Sequence, residues 1–180
     1  TCIGFTFQVL QTSLPKVIEI RLTETMDLDT TKIGLVVSSI YVISGLMNYV
    51  GGIAADHYSV RLIYAYGMLL QGLLLFVFAD MSHITLIIFA LVIVAFNSSI
   101  LPAENILLAR FAPAEYQSVI YGIKYILSFS IAPLVVYLVA QSHALTGDFY
   151  YLYLLGGVIN TLLFFLILML PKNQNTLASP

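Results

Sequence analysis

Two ionisable side chains stand inside otherwise apolar stretches: Glu104 in ILPAENILLAR and Lys124 in IYGIKYIL. A carboxylate and an ammonium can exchange a proton, hold a solute of opposite charge, or neutralise each other. Carboxamides lie in similar surroundings, namely Gln8, Gln11, Asn48, Asn97 and Asn105. A third constellation, GGIAADHYSVR (51–61), puts Asp56, His57 and Arg61 within six positions. An acid beside an imidazole suggests a catalytic pair at first sight. Which chemistry applies depends on the medium and on the elements that carry these residues.

The medium is set by composition. Charged residues make up 9% of the 180-residue chain and hydrophobic residues 60%, with a mean hydropathy of +0.97. A soluble domain carries about 25% charged residues, so the chain belongs in a lipid bilayer. A net charge of −2 gives no basis for a nucleic-acid partner. Cys2 is the single cysteine, so no internal disulfide forms. The chain starts Thr-Cys-Ile with no signal-peptide pattern, and a cut end of a longer protein is expected there.

A spanning helix needs about 20 mainly apolar residues. Six segments qualify: 1–20, 32–55, 62–80, 84–110, 115–140 and 149–170. The fold class is therefore all-α, a polytopic six-helix membrane unit over 1–171, followed by a disordered tail over 172–180. Short connections join the spans, among them the acidic stretch 22–31, the knot 56–61, APAEY (112–116) and QSHALTGD (141–148). Asp29, Thr30 and Thr31 are placed to cap the second helix. Pro113 is placed near the start of the fifth. Pro15, Pro102 and Pro133 fall inside spans, where neighbouring helices can satisfy the freed carbonyls. Basic residues are balanced between the two sides, but acids gather on the side away from the knot. That leans loop 56–61 and the C-terminus toward the cytoplasm.

Polarity differs among the spans. The third has only Gln71 as a strongly polar interior group and the sixth only Asn160, so both read as peripheral. Spans one, two, four and five are expected to face each other or a wet cavity. Glu104 lies roughly 9 Å from the end of its span and Lys124 roughly 13 Å from the same side, so adjacent antiparallel helices can join them. An ionisable residue in the membrane interior costs about 2.5–3.5 kcal/mol even on the gentlest scale. A substrate or proton-coupling pair, a structural salt bridge, and snorkelling to the interface all satisfy that cost. Small residues recur every seven positions in span two (Ser38, Gly45, Gly52, and Ser44, Gly51 one step earlier), a stripe for close helix packing.

With these elements in place, the chain resembles the major facilitator superfamily of secondary transporters. That family's loop between the second and third helices of each half reads roughly G-x-x-x-D-R-x-G-R-R. Gly52, Asp56 and Arg61 fall on the first Gly, the Asp and the last basic position. His57, Ser59 and Val60 depart from it, an erosion that suggests the C-terminal half. The passage NSSILPAENILLARFAPAEYQSVIYG is similar to the family's fourth-to-fifth helix segment of a half, and FQVLQTSLP to a helix entering the cavity. The resemblance implies a twelve-helix protein with an N-terminal six-helix half as partner. Each half would be a three-plus-three inverted repeat, and a small-molecule substrate would bind between the halves near mid-membrane. It also implies the cytoplasmic or inner membrane. Asp56 would accept hydrogen bonds from a neighbouring helix N-terminus or from Arg61 and latch one conformation.

The expected function is alternating-access transport of a small solute, an organic anion or metabolite, with proton or sodium coupling and no bound cofactor. Candidate substrate and coupling residues are Gln8, Gln11, Asn48, Asn97, Glu104, Asn105 and Lys124; the loop motif is Gly52, Asp56 and Arg61. Efflux of hydrophobic compounds is the alternative, suggested by Phe- and Tyr-rich helices. A membrane scaffold, channel or enzyme is the rival from another class. Against an enzyme, His57, His83 and His143 occupy different loops, and no metal-ligand or nucleophile motif is present.

Overall fold

The computed structural model describes residues 2–22 and 29–170. The expected tail, 172–180, and most of the acidic stretch 22–31 lie outside the described residues. Within them the chain forms α1 (Cys2–Leu22), α2 (Thr30–His57), α3 (Val60–Ala79), α4 (Thr85–Phe111), α5 (Gln117–Thr146) and α6 (Tyr150–Leu168). One 3₁₀ turn, Ala114–Tyr116, precedes α5, and no strand occurs among the described residues.

Helix ends follow local chemistry more than hydropathy. Asp29 caps α2, its side chain accepting from Thr30 N at 2.7 Å. The knot is mostly helix: Asp56 and His57 end α2, Arg61 lies in the first turn of α3, and only Tyr58 and Ser59 intervene. The stretch expected as connection 141–148 is helical through Thr146. Apolar content marks where the bilayer ends, whereas backbone hydrogen bonding continues into the polar zone until Gly147. That glycine stops α5 with φ +71, its N–H donating to His143 O at 2.9 Å. Pro113 leads the 3₁₀ turn instead of opening α5. Pro15, Pro102 and Pro133 each lie within one continuous helix.

α3 packs most extensively on α6, and α2 on α4; α3 also meets α4, and α1 meets α5. α1 is the central helix, with Ile3, Leu14, Val17, Ile18 and Leu22 fully buried. Among the described residues, five helices are long and apolar enough to cross a membrane; α1 is not one of them. Its Gln8, Gln11, Lys16, Glu19 and Arg21 lower its hydropathy, and its apolar face turns to the other helices instead of outward. The opposite case is the outward faces of α2 and α5, where Leu35, Val42, Leu46, Ile126, Phe129 and Tyr137 are exposed.

Lipid tails are as apolar as leucine, so helix contact in a bilayer rests on close fit. Gly51 shows how close: a Cβ there would overlap the Ser99 carbonyl group. Ser44, one heptad earlier, donates to Val94 O at 3.2 Å and bonds the Ser98 hydroxyl. The small-residue stripe therefore splits. Ser44 and Gly51 meet α4, whereas a methyl group added at Gly45 or Gly52 would meet nothing within 4 Å. Residues one step apart on a helix point about 100° away from each other, so only one series can face the neighbour. On the other pair, Gly72 lies against the Gly157 carbonyl and Gly157 against the Phe76 ring.

Polar ties secure both ends of the bundle. Arg21 forks onto Asp148, with Nη2 at 2.9 Å from Oδ1 and 2.8 Å from Oδ2. It also donates to the carbonyls of Phe78, Ala79 and Met81 at the end of α3. At the opposite end Arg61 donates to the carbonyls of Ile167 and Leu168 at the end of α6. Each arginine satisfies orphan carbonyls at a negative helix terminus. Between these ends the Ser13 and Tyr153 hydroxyls meet at 2.6 Å, and Thr6 donates to Asn160 Oδ1 at 3.3 Å. Gln71 and Asn160, on the helices read as peripheral, are both fully buried, facing inward.

Candidate solute-binding site

α1, α2, α4 and α5 together line a cavity of about 380 Å³. Six of the seven sequence-derived candidates line it: Gln8, Asn48, Asn97, Glu104, Asn105 and Lys124. Gln11 does not; it is exposed, almost one turn further along α1 than Gln8 and outside the cavity lining. On α4 the wall is built by Asn97, Leu101 and Glu104, spaced four and three apart, which is one helical face. Asn97 is fully buried and neither atom of its amide has a partner among the described residues.

The charged pair joins α4 to α5. Lys124 Nζ lies 3.1 Å from Glu104 Oε2, and each side chain is 13% exposed. The ammonium also donates to Asn105 Oδ1. Tyr121 OH donates to the Asn105 carbonyl at 2.8 Å, so α5 grips this turn of α4 twice. The ammonium, largely shielded, is thus compensated by a carboxylate and a carboxamide.

Aromatic rings form the rest of the wall, and they are not among the sequence-derived candidates. Phe7, Tyr125 and Phe129 line the cavity with Ser98 and Ser128. Tyr125 stacks on Phe129 at 6.3 Å between ring centres, and Lys124 Nζ is 6.0 Å from the Tyr125 ring centre. Their spacing carries a signal. Ser128 follows Lys124 by four and Tyr125 by three, so it lies on the arc between these two neighbours, which flank it about 100° apart.

The loop motif sits elsewhere. Gly52, Asp56 and Arg61 are at the end of the bundle that carries the α2–α3 turn. Arg61 is engaged with α6 and not with Asp56, because the two α6 carbonyls lie within its reach. Asp56 is exposed and has no hydrogen bond or ion pair among the described residues. His57 Nδ1 donates to Ile53 O at 2.9 Å, within its own helix. His143 stacks on Phe149 and His83 occupies a turn with φ 64, so neither approaches His57. Among the described residues no group of three or more His, Cys, Asp or Glu is placed to hold a metal ion.

Sequence reasoning also misses the Arg21–Asp148 tie. Asp148 lies two residues before the first residue of α6 and accepts from Phe149 N at 2.7 Å, so its place just ahead of the helix is the readable signal.

The family model described as Major Facilitator Superfamily matches residues 1–179. Comparison with curated proteins and with solved structures gives no match. Together with the helical membrane bundle, the family match is decisive: the chain belongs to the major facilitator superfamily.

Proposed function

We propose that this chain is the C-terminal half of a secondary transporter that moves a small organic anion across the cytoplasmic membrane by alternating access. The family supports membrane transport in general. The observation that carries the finer reading is the convergence of four helices on one cavity whose wall holds the Lys124–Glu104 pair. Lys124 offers the positive charge for a carboxylate. Glu104 is then displaced from the ammonium and takes up a proton, which couples solute to proton movement. Tyr64 from α3 and Tyr125 from α5 are the other titratable groups on the cavities that Glu104 borders. An N-terminal half would cover the outward apolar faces of α2 and α5, with loop 56–61 on the cytoplasmic side.

A second reading, efflux of hydrophobic compounds, is favoured by Phe7, Tyr125 and Phe129 in the wall. Uptake by the intact protein in proteoliposomes, with a panel of organic anions and uncharged aromatics under an imposed pH gradient, separates the two. Lys124→Gln should abolish anion uptake and Glu104→Gln should remove its pH dependence. Unchanged uptake in both variants refutes the anion reading.

A further inference from the structure

A second cavity, of about 370 Å³, lies against the same ion pair. Glu104 and Lys124 line both cavities. Beyond the pair the two walls differ in chemistry. Beside Phe7, Leu101, Tyr125 and Phe129, the first has Gln8, Asn48, Asn97, Asn105 and two serines. The second has Leu107, Leu108, Phe111, Ile120, Ile123 and Leu127, with Tyr64 from α3. This difference is written in the helices. On α4 a polar-bearing face at Asn97 and Leu101 passes through Glu104 and continues, at Leu107, Leu108 and Phe111, with no polar group. On α5 Tyr125 and Ser128 turn to the first cavity, while Ile120, Ile123 and Leu127 turn to the second.

We propose that the solute is an amphiphilic organic anion: its charged head meets Lys124 beside the carboxamides of the first cavity, and its apolar tail lies in the second cavity between α4 and α5. This rests on the anion-transport reading and narrows it to a substrate class. A fully hydrophilic anion would leave an apolar chamber unused beside its binding charge. A fully apolar solute would leave the buried Asn97 amide of the first chamber without a partner, at a cost in desolvation. An amphiphile satisfies both walls at once, and the ion pair stands where head and tail join. Long and short anions then share the head contact and differ only in how much of the second chamber they fill.

The test uses straight-chain carboxylates from butanoate to dodecanoate, with binding measured on the intact protein in nanodiscs and empty nanodiscs subtracted. Affinity should rise by up to about fourfold per methylene and level off once the second cavity is full. Leu107→Trp and Ile123→Trp, which fill that cavity, should flatten the rise, weakening dodecanoate far more than butanoate. Lys124→Gln should weaken every member of the series by a similar factor. A flat wild-type series, or a rise unaltered by both Trp variants, overturns the amphiphile proposal while leaving the anion site standing if Lys124→Gln still weakens butanoate. Butanoate binding indifferent to Lys124→Gln removes the anion site itself, and the proposal with it. The wild-type series needs no variant to fold.

Discussion

Lys124 Nζ and Glu104 Oε2 stand 3.1 Å apart across the α4–α5 contact, with both side chains largely shielded. Breaking such a pair leaves one charge without its partner, whereas removing both charges leaves none. Lys124→Gln alone should therefore lower stability by on the order of 3 kcal/mol. Glu104→Gln/Lys124→Gln together should recover most of that loss while transport stays absent. Thermal unfolding of the purified intact protein beside uptake assays reads both. Stability that falls further in the double variant would show that the pair's charges do not compensate each other.

Arg21 donates to one carboxylate and three carbonyls from α3 and the segment after it, and it is only 9% exposed at its side chain. Lysine has no fork and cannot reach this set. Arg21→Lys should cost about 2 kcal/mol or more through unsatisfied carbonyls. Asp148→Asn should cost less, because an asparagine oxygen can still accept from Phe149 N. Equal losses in the two variants, seen by thermal unfolding, would mean that the carbonyl contacts contribute nothing.

Gly51 and Gly52 are neighbours in sequence with opposite surroundings. A methyl at Gly51 would overlap the Ser99 backbone, which cannot move without shifting α4. Gly51→Ala should cost about 1–3 kcal/mol by overpacking, and Gly52→Ala and Gly45→Ala should be tolerated. Melting curves of the three variants rank them, and a destabilised Gly52→Ala beside a neutral Gly51→Ala would reverse the assignment of the contact face.

The bundle was legible because a membrane helix must be long and apolar, and Asn97, Glu104 and Lys124 were legible because such groups are costly there. Their gathering on one cavity required only the helical period and antiparallel neighbours. Three things were not legible. Gln11 and Gln8 look alike in sequence, and only the packing of α1 separates them. The partner of Arg61 lies 106 residues away, on a helix end that no local pattern announces. The end of α5 depended on Gly147 and its left-handed backbone, while the hydropathy boundary fell several residues earlier.

Asp56 presents an exposed carboxylate at the C-terminal end of α2, next to the outward face of that helix. With Arg61 committed to α6, a latching partner for Asp56 comes from outside the described residues. A helix N-terminus is the natural acceptor of a negative charge, worth about 0.3–1 kcal/mol when exposed and up to about 2 kcal/mol when partly buried. We propose that Asp56 holds one conformation of the intact transporter by such a contact. A latch of that size changes the population of a state by roughly two- to thirtyfold. Asp56→Asn should slow turnover within that range and leave solute affinity measured at equilibrium within about twofold. The same residue should not affect the melting of α2 against α4, because the Gly51–Ser99 contact is independent of it. Turnover at the wild-type rate would refute the latch, and so would a loss of affinity matching the loss of rate.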